Sequence, residues 1–94
     1  VSVRSSRTHE LKTWPPFFES VLDGSKTFEI RRDDRAYAVG DTLCLKEWDP
    51  NGSTGYGGKY TLREVKCLVT YVMHGGRFGI EEHTVVMGIK LIEP

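Results

Sequence analysis

One segment, PPFFESVLDG from Pro15 to Gly24, carries helical periodicity, and the rest reads as strand and turn. That restricts the fold to a β-rich domain with a single helix near its N-terminus. Two prolines suit a helix start, where missing amide donors leave nothing unpaired. Phe17 with Val21 and Phe18 with Leu22 repeat at i,i+4 and form an apolar face, and Gly24 supplies the left-handed stop. Before it, THELKTW (Thr8 to Trp14) alternates as a short strand. After it come KTFEIRR, DTLCLKEWD, the long KYTLREVKCLVTYVMHG and HTVVMGIKLIE. The third of these is too long for one flat strand and is expected to bend at a bulge.

The links are short and rich in turn residues. DDRAYAVGD joins the second and third strands, HGGRFG the last two, and DPNGSTGYGG (Asp49 to Gly58) holds four glycines, a proline and an Asn-Gly pair. The order β-α-β-β-β-β with such links is α+β and mainly β. It most economically makes a small antiparallel barrel or half-barrel of five to six strands, plugged at one end by the helix. With 94 residues the chain fits one domain. Residues 1–7 are expected to be a disordered polar tail and 8–94 the folded unit. Phe17, Phe18 and Phe28 are expected in the core; Trp14, Trp48, Tyr56 and Phe78 lie beside turns, where a ring can cap the barrel or stack on a base.

Thirteen basic and thirteen acidic residues cancel. That argues against a protein that coats duplex DNA by bulk charge, since such binding scales with phosphates neutralised. A local basic pocket is compatible with it. No apolar run approaches the ~20 residues that span a bilayer, and VSVRSSR lacks the apolar core of a secretory leader. A cytoplasmic protein without membrane contact is the expectation. Cys44 and Cys67 each fall inside a strand and read as buried thiols in preference to a disulfide. His9, His74 and His83 have no metal-ligand spacing, no phosphate or dinucleotide loop is present, and no cofactor is expected.

Chemistry concentrates in GSKTFEIRR. Glu29 and Arg31, two apart on a strand, leave one face; Phe28 and Ile30 leave the other. Lys26 joins Glu29 only if it lies in the turn after Gly24. Together the three could hold a ligand, with Glu29 accepting from a base amino group and Lys26 and Arg31 on a phosphate or carbonyl. The plainer alternative is exposed ion pairs of little consequence. His74 and Arg77 with Phe78, in a glycine-rich corner that lets backbone approach closely, offer a charge and a stacking ring. Trp48, beside the glycine-rich loop, is the preferred stacking candidate.

Gly24-x-Lys26-x-x-Glu29-x-Arg31 directly after an N-terminal helix resembles the signature of the ASCH domain, a branch of the PUA-like superfamily. Val39-Gly40-Asp41 opening a strand, HELK-x-W-P-P-F-F, L-x-L-x-E-W-D and HGGRFG extend the resemblance from about Thr8 to Glu93. They resemble short stand-alone bacterial and phage members of unknown function. The resemblance implies a PUA-like β-barrel with a cleft between barrel and helix, lined by the signature residues and binding single-stranded RNA or a modified nucleotide. One enzymatic branch of that family deacylates N4-acetylcytidine with a lysine at the position of Lys26, a threonine at that of Glu29 and a distant glutamate. Here Glu29 replaces the threonine. A Lys26–Glu29 pair activating water is the alternative to binding, with Glu64, Glu81 or Glu82 as the further carboxylate. A third option is a domain that meets a protein partner through an exposed β edge.

Overall fold

The computed structural model describes residues 5–52 and 57–92. Residues 1–4 of the expected tail, residues 53–56 of the glycine-rich loop with its Tyr56, and residues 93–94 lie outside the described residues. Along the chain run β1 (Thr8–Thr13), α1 (Pro15–Leu22), β2 (Phe28–Arg32), β3 (Thr42–Asp49), β4 (Lys59–His74) and β5 (Thr84–Leu91). The five strands make one sheet in the order β1-β3-β4-β5-β2. It curls into a half-barrel, so that β1 and β2 are its two edges and face each other across an open seam.

The β2–β5, β5–β4 and β4–β3 pairs are antiparallel, whereas β1 runs parallel to β3. That parallel pair departs from the wholly antiparallel arrangement expected. Its cause is the chain path: α1 and β2 intervene between β1 and β3, and a crossover of that length returns the chain to the same direction. The bend expected in β4 is present. The register shifts opposite Lys46/Trp48 on β3 and again between Val69 and Tyr71, letting sixteen residues serve β3 with one half and β5 with the other.

Leu11, Leu43, Leu45, Cys67, Val69, Val85, Met87 and Ile89 line the inside of the curl, and Phe18 and Val21 of α1 close one end. The helix begins at Pro15 and ends where Gly24 takes φ +85°, as its sequence requires. Of its expected apolar face only Phe18 and Val21 are buried. Phe17 and Leu22 are not, because the eight-residue helix meets the sheet on one narrow stripe. Both cysteines are buried and free.

Two buried carboxylates fix the ends of this core. Asp41, of the VGD turn, accepts from the Arg7 and Ala38 amides at 3.0 and 3.1 Å and sits 2.8 Å from His9 Nε2. His9 in turn lies against the ring of Tyr37, whose phenol is pushed above its usual range by burial. Glu47, inward-facing on β3, accepts from Arg63 Nε and Nη2 at 2.9 and 3.0 Å and from the Thr61 hydroxyl at 2.6 Å. Arg63 also reaches Glu19 and lies over the Phe18 ring, and so ties α1 to β4.

Arg63 and Thr61 hold the Glu47 carboxyl below its ordinary value of 4.5. A carboxyl depressed in the fold stabilises fully above its unfolded value and loses that stabilisation as pH falls through the folded one. Urea midpoints of the wild type are therefore expected to fall steeply on acidification below about pH 4.5. Those of Arg63→Met should start lower and fall less. Parallel curves would show that Arg63 is not what holds the Glu47 carboxyl ionised.

Candidate functional site

Strand β2 is turned opposite to the expectation for a β strand with two apolar residues. Glu29 points into the half-barrel at 3% exposure, while Phe28 on the other face is 45% exposed. Phe17 is 52% exposed. The expectation that both rings belong to the core is thus corrected: Phe18 alone of the three is buried. The physical reason lies in what surrounds Glu29. Lys26, in the turn before the strand, donates to Glu29 Oε1 at 2.5 Å, and Arg31 Nε donates to Oε2 at 2.9 Å. A carboxylate with a cation on each oxygen can be kept inside, where an unpaired one could not.

The same two cations are tied to backbone. Lys26 Nζ donates to the Phe28 carbonyl at 2.7 Å. Arg31 crosses the open seam, donating Nη1 to the Lys12 carbonyl at 3.0 Å and Nη2 to the Thr13 hydroxyl at 3.1 Å. Arg35 makes a second crossing, to the Glu10 carbonyl at 3.0 Å. Side chains thus hold together two strand edges that do not hydrogen-bond to each other.

Above this seam lies a cleft of about 510 Å³, lined by Lys12, Thr13, Trp14, Phe17, Phe28 and Ile30 around the Lys26–Glu29–Arg31 cluster. Trp14 is 50% exposed. Three half-exposed rings thus stand around one buried ionic cluster, with the Lys26 ammonium 5.0 Å from the Phe28 ring centre. The exposed aromatic wall is what GSKTFEIRR read alone does not show. Trp14 beside the helix start was legible as a rim ring; Phe17 and Phe28 were not, because their spacing matches a core stripe.

The remaining sequence-derived site residues lie elsewhere. Trp48 is half-buried under the Lys12 ammonium, 4.1 Å from the ring centre, and a Cβ on Gly58 would overlap its indole. His74 Nδ1 lies 2.6 Å from Asp33. Arg77 and Phe78 occupy a tight turn whose central residues, Phe78 and Gly79, both have positive φ, and the Phe78 ring is 84% exposed. None of these four lines the cleft. Of the three carboxylates considered as a partner for Lys26, Glu64 accepts from Cys44 Sγ, and Glu81 and Glu82 line a separate hollow. Burial pushes both thiols up to about 11, assisted by Glu64 at Cys44 and by the Glu29 charge at Cys67, so neither is a nucleophile at neutral pH.

A family model described as Domain of unknown function (DUF3850) matches residues 8–89. The uncharacterized 12.9 kDa protein in the GpA 3′ region of Escherichia phage P2 is similar to this chain, 39% identical over 67 residues. The match covers 71% of this chain and 55% of that protein, so the chain spans about half the length of the curated relative it matches.

Replacing the buried carboxylate tests the cluster. Glu29→Gln keeps the shape and removes the charge, leaving Lys26 and Arg31 on a neutral amide. It is expected to destabilise the fold by roughly 2 kcal/mol, read as a lowered urea midpoint. An unchanged midpoint would mean that the cations, not the carboxylate, organise β2.

Proposed function

We propose, from the premise that this chain belongs to the DUF3850 family, that it is a nucleotide- or single-stranded-RNA-binding module whose ligand base enters the cleft between the sheet seam and α1. The observation that carries this reading is the half-exposed wall of Trp14, Phe17 and Phe28 around the Lys26–Glu29–Arg31 cluster. The size suits it, since small-molecule sites run to roughly 300–1,000 Å³. So does the chemistry: a base can stack on any ring face, worth about 1–3 kcal/mol per base. Lys26, with two hydrogens directed at Phe28 and Glu29, retains a third for a ligand oxygen. The zero net charge fits a pocket that takes one or two nucleotides better than a track. The resemblance of Gly24-x-Lys26-x-x-Glu29-x-Arg31 to the ASCH signature, and through it to PUA-like domains, supports the same assignment.

The hydrolytic alternative, deacylation of a nucleoside such as N4-acetylcytidine, rests on the 2.5 Å Lys26–Glu29 contact. The half-exposed rings of Trp14, Phe17 and Phe28 beside it, which a base can stack on, favour binding. Release of acetate from N4-acetylcytidine, abolished by Lys26→Ala, would turn the reading to the enzyme.

A Trp48→Phe protein leaves Trp14 as its sole tryptophan. Titration with cytidine and with a short single-stranded RNA is expected to quench Trp14 saturably, with affinity for the RNA falling as salt rises. Phe17→Ala should weaken binding about tenfold and leave the fold intact. No saturable change with either ligand would remove the nucleotide assignment.

A further inference from the structure

The seam edge of β2 carries a recognition element that its side chains do not reveal. Ile89 donates its amide to the Thr27 carbonyl at 3.0 Å, and Asp33 donates to the His83 carbonyl at 2.7 Å. Both bonds belong to the register that pairs Glu29 with Met87 and Arg31 with Val85. Main-chain groups alternate between the two sides of an antiparallel strand. Thr27, Glu29, Arg31 and Asp33 therefore direct theirs at β5, and Phe28, Ile30 and Arg32 direct theirs away from it, to the seam.

Two of those three are partly engaged. The Phe28 carbonyl accepts from Lys26 at 2.7 Å, and the Arg32 carbonyl accepts from the Asp34 amide at 2.9 Å. Ile30 is left, among the described residues, as the one position of β2 with both N–H and C=O unpaired, and it lines the cleft. An added peptide strand would need successive donor–acceptor couples at alternate residues. Lys26 and Asp34 interrupt that series on both sides. What fits a single couple is a flat ring with one donor beside one acceptor on its rim.

We propose that the Ile30 main chain reads the Watson–Crick edge of an unpaired nucleobase held among the cleft rings. For cytosine, the Ile30 N–H donates to N3 and the Ile30 carbonyl accepts from the N4 amino group. A base already paired in a duplex has no such edge to offer, so the ligand is single-stranded. This assignment rests on the cleft reading above and specifies which part of the base is recognised.

The test uses wild-type protein labelled with ¹⁵N, with cytidine and N4,N4-dimethylcytidine as probes. Cytidine is expected to shift the Ile30 amide downfield, and the dimethyl analogue, which lacks the donor, to bind about tenfold more weakly. Ile30→Pro removes the seam-facing N–H while sparing every bond to β5, a position where an edge proline is tolerated. It should weaken cytidine to a similar degree, and Ile30→Val should not. If Ile30→Pro perturbs the strand, the two-nucleoside comparison on wild-type protein still decides. Equal binding of both nucleosides, with the Trp14 indole N–H signal shifted and the Ile30 amide unmoved, would overturn the Ile30 assignment and leave the cleft standing. Binding of neither would overturn both.

Discussion

Everything on the seam side of this molecule follows from one carboxylate. Glu29 lies inside the half-barrel with Lys26 and Arg31 on its two oxygens. Burying it orients β2. Once Glu29 faces in, the period of two forces Phe28 and Ile30 out, and the rings that a core would otherwise hide become a wall. Arg31, anchored on Glu29, is aimed across the gap at Lys12 and Thr13. The seam is therefore held by a guanidinium where a closed barrel would have a ladder of main-chain bonds. That difference leaves a cleft, and it leaves the Ile30 edge unpaired.

The opposite side is built from ordinary packing with two further acids as rivets. Asp41 gathers the chain before β1, the His9 ring and the Ala38 turn, while Glu47 with Arg63 seats the helix. Each acid is satisfied by donors from distant parts of the chain. A domain this small buries only about two-thirds of its surface, so fixed polar junctions of this kind specify which edges meet. None of them lies at the mouth of the cleft, so the scaffold can stay rigid while the rings accept a ligand.

Much of this was legible in the sequence. Pro15-Pro16 and Gly24 bracket the helix, the succession of strands along the chain follows from alternation and turn chemistry, and Lys26, Glu29 and Arg31 do come together because Lys26 sits in the turn. The direction in which β2 faces was not legible. A strand with Phe and Ile on one side and charges on the other reads as apolar-in by every burial rule. Only the triple pairing of Lys26, Glu29 and Arg31, completed by acceptors on β1 nineteen and eighteen residues away, reverses it. The parallel β1–β3 pair was hidden for a similar reason, since it depends on where the crossover returns. Trp48 looked free beside a glycine-rich loop, yet the missing side chain of Gly58 is what lets the backbone cover it.

The measurement that bears most directly on the inverted strand and its cleft is isotope-filtered NOE spectroscopy of labelled protein with unlabelled cytidine. Contacts from the base H5 and H6 protons to the rings of Trp14, Phe17 and Phe28 are the expected result. Contacts to Phe78 or Trp48 in their place would contradict it, because the base would then be held away from the Glu29 cluster.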